Sequence, residues 1–209
     1  MKKFIISDLH FGHTNLAYKR GFLSVFDHDE TLIENWNSVV PHSDQEPSMI
    51  YVLGDVSLHN SKLLAHIMPR LNGSRKILIS GNHDENVDNQ YYESVYGAIQ
   101  LKILGDMYVL THIPIHPQEL YKRWRANIHG HLHHKYVYED WQDVCGDVQG
   151  TIKDKRYINV SAEHLAYTPQ LLEDVVLDTY NKPVAEWVNF WYNPLTPPPT
   201  TTRRRGERD

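Results

Sequence analysis

Short apolar runs rich in β-branched and aromatic residues alternate with segments of helical periodicity, which is the pattern of an α/β fold. The runs Lys3 to Ser7, Met49 to Leu53, Lys76 to Ser80, Ile99 to Leu104, Met107 to Thr111, Ala126 to Ile128 and Tyr157 to Val160 read as strands. The Gly105-Asp106 gap between two of them reads as a hairpin turn, so part of the sheet structure is antiparallel. Helices are expected over Asp29 to Val40, Ser61 to Leu71, Asn89 to Tyr96 and Pro169 to Tyr180. In the last of these Thr168 is placed to cap the free amides, Pro169 suits a first turn, and Leu171, Leu172, Val175 and Val176 share a face. There is no internal repeat. From Asn193 the chain becomes NPLTPPPTTTRRRGERD, which has no apolar periodicity and too little to bury to offset the entropy of ordering. The expected organisation is therefore one domain over residues 1–192 and a disordered Pro/Thr/Arg-rich tail over 193–209.

Composition narrows the class. With 209 residues, 41% of them hydrophobic and 22% charged, the chain can bury a substantial core. No apolar run approaches the roughly 20 residues of a membrane span, which excludes an integral helical membrane protein. The opening MKKFIISDLH has an apolar stretch of only Phe4 to Ile6, so no export signal is expected. Cys145 is the single cysteine, which rules out an intrachain disulfide or a cysteine-cluster metal site and fits a reducing cytoplasm. The net charge of −5 is the wrong sign for a protein that grips nucleic acid through backbone phosphates. The tail holds four arginines against two acids, so the body is more acidic still. The abnormal count is histidine, 14 in all, which points to metal or proton chemistry.

Five segments share one design, an apolar strand ending in groups able to bind metal. They are FIIS-Asp8-Leu9-His10, MIYVLG-Asp55, KILISG-Asn82-His83-Asp84, MYVLT-His112 and RANI-His129-Gly130-His131. In an α/β sheet, ligands gather beyond the carboxyl ends of strands, where loops from several strands converge. Asp8 with His10, and His129 with His131, stand two apart, which puts each pair on one face of an extended chain. Gly54, Gly81 and Gly130 adjoin these residues, where a missing side chain permits a tight turn or a close approach. Two carboxylates, one amide and four imidazoles are too many for one transition-metal ion and suit two. Mixed oxygen and nitrogen donors favour manganese, iron, zinc or nickel over magnesium or calcium. Two divalent ions, two carboxylates and a bridging hydroxide leave a charge of about +1, which suits an anionic substrate such as a phosphate ester.

These blocks resemble those of the calcineurin-like metallophosphoesterase superfamily: D-x-H, G-D, G-N-H-D/E, H and G-H-x-H, here Asp8-Leu9-His10, Gly54-Asp55, Gly81-Asn82-His83-Asp84, His112 and Gly130-His131 preceded by His129. All five occur in order over residues 5–131, and DLHFGHTN, IENWNSVV, VLGDV and YINVSAEHLAYTPQLLED resemble a small single-domain bacterial and phage branch. The resemblance implies a four-layer sandwich of two mixed sheets flanked by helices. It implies that Asp8, His10 and His131 hold one divalent ion, that Asn82, His112 and His129 hold the other, and that Asp55 bridges them, with manganese foremost. His83 would protonate the leaving group or steady the phosphoryl group, helped by Asp84. The implied activity is phosphodiester hydrolysis by a metal-bound hydroxide on small phosphodiesters such as cyclic nucleotides, 2′,3′-cyclic ones included. A phosphomonoesterase, a nuclease or a non-catalytic protein-binding scaffold of the same fold are the alternatives. Nucleic acid is not the favoured partner, and no membrane is expected.

Other residues carry weaker signals. His13 and His116 are candidates for lining the phosphate pocket, and Arg123, with Arg125 and the stacking face of Trp124, for meeting a phosphate or base. His133 extends the G-H-x-H run and is a candidate for supporting the ligands, while surface residence is expected for it and His134. His28, His42, His59, His66 and His164 read as packing or surface residues. The run His129-Gly130-His131-Leu132-His133-His134 also approaches the H-x-H-x-D-H pattern of metallo-β-lactamase-type hydrolases, but it lacks the aspartate and stands late in the chain.

Overall fold

The computed structural model describes residues 1–42, 46–58, 61–84, 89–142 and 145–181; the expected tail and His59 lie outside them. The chain divides into a main unit, Met1–Val137 with Asp154–Lys182, and a second unit whose described part is Tyr138–Lys153.

The main unit carries two mixed sheets. In the first, β1 (Lys2–Ile6), β2 (Ser48–Val52), β3 (Arg75–Ile79) and β4 (Ser94–Tyr96) run parallel in that order, and β11 (Gln170–Leu171) pairs antiparallel with β1. In the second, β10 (Tyr157–Asn159), β7 (Ala126–His129) and β6 (Asp106–Thr111) are parallel, and β5 (Ala98–Ile103) joins β6 as an antiparallel hairpin. Strands buried on both faces need apolar residues at every position. Thus Phe4 and Ile6 of β1 pack on one side with Ile50 and Val52 of β2, while Ile5, Met49 and Tyr51 pack on the other. The second group meets Tyr108, Leu110, Ala126, Ile128 and Ile158 of the second sheet, which is the core between the sheets. The first group is covered by Leu32, Ile33 and Trp36 of α2 (Val25–Val39) and by Ile67 and Met68, at the end of α3 (Ser61–Ile67) and the start of the 3-10 turn that follows it. Leu172, Val175 and Val176 of α4 (Leu172–Asn181) join the inter-sheet core. The architecture is two mixed sheets flanked by helices.

Four expectations shift. The segment Asn89 to Tyr96 is a 3-10 turn at Asn89–Tyr91 followed by β4, because β3 offers a parallel edge that pairs Ile77 with Ser94 and Ile79 with Tyr96. Pro169 does not open a helix. Gln170 and Leu171 are extended against β1, Thr168 bonds the Ala166 carbonyl rather than capping, and α4 begins at Leu172. Leu171 therefore packs with the first core, away from Leu172, Val175 and Val176. The hairpin turn is Leu104-Gly105, both with positive φ (50° and 100°), one residue earlier than the gap suggested and of the primed kind that matches strand twist. The helix α1 (Thr14–Lys19) was not expected; it is six residues long and buries Ala17 alone, too little for a periodic signal.

The second unit is a hairpin of β8 (Tyr138–Gln142) and β9 (Val148–Lys153), with an irregularity at Trp141/Gln142. No helix among the described residues is long and apolar enough to cross a membrane.

Candidate metal centre

All five motif blocks sit just past the carboxyl ends of β1, β2, β3, β6 and β7. Backbone bonds stitch their loops together. The Asp8 amide donates to the Gly54 carbonyl at 3.0 Å, the His10 amide to Asp55 at 2.9 Å, and the Gly130 amide to His112 at 3.0 Å. The paired residues are not side by side on extended chain, however. Asp8, His10, Asp55, His131 and His133 have φ of 58°, 52°, 54°, 69° and 50°. Five left-handed non-glycine residues in one place are a concentrated strain that surrounding contacts must hold. The glycines let the loops meet. A Cβ on Gly130 would lie 1.9 Å from Ser7 Oγ and 2.5 Å from Asp8 Oδ2, and one on Gly81 would lie 2.3 Å from Asp55 Oδ1.

Two groups of potential ligand atoms form, Asp8 with His10 and His133, and Asp55 with His112 and His131. Asp55 is the hinge between them. Its Oδ2 lies 3.3 Å from His112 Nε2, 3.6 Å from His10 Nε2 and 4.0 Å from His83 Nε2, while Oδ1 accepts the His83 amide at 2.9 Å. Asp8 accepts the His131 amide at 2.9 Å. The last motif thus falls on Gly130-His131-Leu132-His133, one step along from the His129/His131 pairing expected. His131 stands with Asp55 and His112 rather than with Asp8 and His10, whose third partner is His133. His129 belongs to neither group. It is fully buried, and its Nδ1 donates to the Gly130 carbonyl at 2.7 Å.

The residues present fit two cations. Both ring nitrogens of His10 are buried without a hydrogen-bond partner among the described residues. His112 Nδ1 donates to the Leu53 carbonyl at 2.6 Å, so in the neutral ring Nε2 carries a lone pair. That lone pair faces Asn82 Oδ1 at 3.1 Å and Asp55 Oδ2 at 3.3 Å, an electron-rich cluster that needs a proton or a cation among its members.

The Asp84 side chain faces backbone amides. Its carboxylate accepts three backbone amides, Asp55 at 2.8 Å, Gly81 at 2.9 Å and Val56 at 3.0 Å, and so clamps the loop after β2 to the loop after β3. His83 stands at the rim with its side chain 37% exposed and its ring 5.5 Å from that of His10. His13 lies 5.7 Å from the His10 ring, and its Nδ1 caps α1 by accepting the Leu16 amide. His116 is exposed and caps the 3-10 turn Pro117–Leu120. Arg123 lies over the Trp124 ring at 5.1 Å and borders a surface cavity of about 370 Å³ with Ala98, Ile99, Gln100 and Val109. Arg125 stacks on Tyr180. Neither His116 nor Arg123 is among the two ligand groups.

Protonation gives the metal-free protein a pH dependence. Burial holds His10 down to about 3 and His129 down to about 4, so both resist charging in the fold. A folded value below the unfolded one contributes stability that is complete above the unfolded value near 6.5 and is lost as pH falls toward 3 to 4. The opposite case is His133, raised chiefly by its bond to Glu163, and His112, raised by Asp55 and Asp8 against the effect of burial. Their contribution is already complete below pH 6.5 and is lost only as pH rises. Between pH 6.5 and 4.5 the slope comes chiefly from His10 and His129, with His131 and His13, also lowered by burial, adding in the same direction, and the metal-free protein is expected to lose roughly 3–5 kcal/mol. Denaturant unfolding of the chelator-treated protein at the two pH values measures this; equal stability would show that the His10 and His129 rings take up a proton in the fold as readily as in the unfolded chain.

Two mixed sheets with the five motif loops at one edge match the architecture implied by the resemblance to the calcineurin-like metallophosphoesterase superfamily, and the chain belongs to the same family as a protein of Methanocaldococcus jannaschii. It is 33% identical over 181 residues to the uncharacterized protein MJ1445 of Methanocaldococcus jannaschii, covering 84% of this chain and 89% of that one. It is 31% identical over 159 residues to the Gene 66 protein of Mycobacterium phage L5, covering 61% of this chain and 75% of the other. The crystal structure of the Aquifex aeolicus protein AQ665 has a similar fold, with a TM-score of 0.60 at 24% identity, over 83% of this chain and 97% of that one. No protein-family model matches the sequence.

Nothing in the sequence singled out Arg20 or Glu163, while His28, expected as a packing or surface residue, is fully buried. Only Glu163 lay within a quoted block, YINVSAEHLAYTPQLLED, and nothing there marked it as a contact of His133.

Proposed function

We propose that the protein is a two-metal phosphoesterase that favours small phosphodiesters, cyclic nucleotides among them. The observation that carries this is the single oxygen Asp55 Oδ2 standing within 4.0 Å of imidazole nitrogens from three separate loops, with a ligand group on either side. Two divalent cations held there would supply Lewis-acid charge at phosphorus and lower the pKa of water. Manganese suits the mixed donors best, with iron, zinc and nickel as the other candidates. The chain's own groups do the rest. His83, half in solvent, can give a proton to the departing alkoxide, while Asp84 holds the loop that carries it. A diester, with a single negative charge at phosphorus, is favoured over a monoester dianion on charge. A monoester dianion would call for more fixed positive charge, and the Arg20 guanidinium is committed to the Asp8 and Leu9 carbonyls and Glu163. The single cysteine suits a reducing compartment, and a cytoplasmic setting belongs to the same proposal.

The test is a substrate panel on protein loaded in turn with Mn²⁺, Zn²⁺ and Ni²⁺. Bis-p-nitrophenyl phosphate and 2′,3′-cyclic AMP should turn over faster than p-nitrophenyl phosphate. The reverse order would favour a monoesterase, cleavage of a labelled oligonucleotide alone a nuclease, and tight metal uptake with no turnover a scaffold.

A further inference from the structure

Behind the Asp8, His10 and His133 group runs a chain of buried charge. Arg20, just past α1, has a side chain only 2% exposed. Its Nη2 donates to the Asp8 carbonyl at 2.7 Å, Nη1 to the Leu9 carbonyl at 3.2 Å and to His28 Nε2 at 2.9 Å, and Nε to Glu163 Oε1 at 2.9 Å. The same Glu163 oxygen accepts from His133 Nδ1 at 2.9 Å. Glu163 reaches this place because the chain after β10 is bonded to the end of β1: the Ser7 amide donates to Val160 and the Ala162 amide to Ser7, each at 2.9 Å.

Arginine settles the roles along the chain, since a guanidinium only donates and does not lose its proton. His28 Nε2 must therefore accept, so its proton sits on Nδ1 and goes to Asp29 Oδ1 at 2.8 Å. Asp29 in turn accepts the Gly12 amide at 2.9 Å, which ties α2 to the loop that carries His10. At the other end Glu163 takes the Nδ1 proton of His133, and the lone pair is left on Nε2. Carboxylate–histidine pairs of this kind fix a ligand ring and its tautomer.

We propose that Arg20 and Glu163 are positioning residues for one of the two cation sites. Arg20 locks the left-handed turn through Asp8 and His10, and Glu163, held by Arg20, fixes the tautomer and orientation of His133. This rests on the two-cation reading above. It predicts an asymmetry, because neither residue contacts Asp55, His112 or His131 in the bonds that define the chain.

The experiment is calorimetric titration of the metal-free full-length protein with Mn²⁺, checked by elemental analysis, for wild type, Glu163→Gln, Arg20→Lys and the double variant. Gln keeps the shape without the charge; Lys keeps the charge but cannot span two carbonyls and a carboxylate. Each single variant is expected to weaken one equivalent about 10- to 100-fold and leave the other unchanged. The double variant should lose little more than either, since both act through one network. Two unchanged equivalents in both single variants, or an equal loss at both sites, would overturn the proposal while leaving the phosphoesterase reading intact. A wild-type protein that binds fewer than two equivalents overturns the two-cation reading and this proposal with it.

Discussion

Asp55→Asn should abolish turnover while leaving a folded protein. The substitution keeps the side-chain volume and an oxygen able to accept the His83 amide, which Asp55 Oδ1 accepts at 2.9 Å. What it removes is the negative charge at Oδ2, the atom between His10 at 3.6 Å and His112 at 3.3 Å. Asp55 is 2% exposed, so water cannot replace that charge cheaply. Removing one partner from a buried charge pair costs about 3–5 kcal/mol. Expressed on the transition state, that is roughly 10²- to 10⁴-fold in rate. Because Asp55 Oδ2 faces one histidine of each ligand group, the effect should fall at the upper end, with both equivalents of metal weakened together. That pattern separates Asp55 from Glu163, whose loss should reach one equivalent. Metal analysis and diester turnover on the same preparation measure both. A variant that retained two tightly bound ions and more than a tenth of the rate would remove Asp55 from the centre of the site.

How much of this was legible in the sequence follows from what each feature needs. The strands β1, β2, β3, β6 and β7 are apolar at successive positions because both faces are buried, a local signal that survives without knowledge of the partners. The polar residues at their ends announced the site for the same reason. β8 and β9 are exposed along most of their length and give no such alternation. β4 and β11 exist because an edge strand pairs with them, which no local pattern encodes. Within the site, the residue types and the Asp8–His10 and Asp55–His112 associations were readable, and the places of the last histidines were not. The two-apart spacing of Asp8 and His10 implied neighbours on extended chain, but left-handed backbone turns each residue separately, so spacing loses its meaning there. His129 ends β7 fully buried, its Nδ1 bonded to the Gly130 carbonyl and its Nε2 without a hydrogen-bond partner among the described residues, and it stands outside the two ligand groups. Glu163 and Arg20 are 143 residues apart and meet only in the folded chain.

Asp84→Ala should be among the most destabilising single changes in the chain, although the residue sits in a loop. Its carboxylate is the acceptor for three amides, those of Asp55, Gly81 and Val56, at 2.8 to 3.0 Å. Asp55 and Val56 are each 2% exposed, so their amides have little access to water as a substitute. A hydrogen bond to a charged group contributes about 1.5–3 kcal/mol, and a buried donor left without a partner costs about 1–3 kcal/mol. Three such losses, partly relieved by water entering from the rim, give about 3–5 kcal/mol. For a chain of this size that corresponds to a fall in Tm of very roughly 6–20 °C. Asp84→Asn retains one acceptor oxygen and should lose about half as much. The clamp joins the loop holding Asp55 to the loop holding Asn82 and His83, so metal affinity should drop alongside stability. A group in this position orders the reacting residues and carries no proton to the substrate. The pH profile of kcat in metal-saturated Asp84→Asn should therefore keep the shape of the wild-type profile at a lower level. Thermal unfolding and a pH-rate series settle the matter together: loss of the acidic limb with unchanged stability would make Asp84 a proton relay to His83, and the clamp would be wrong.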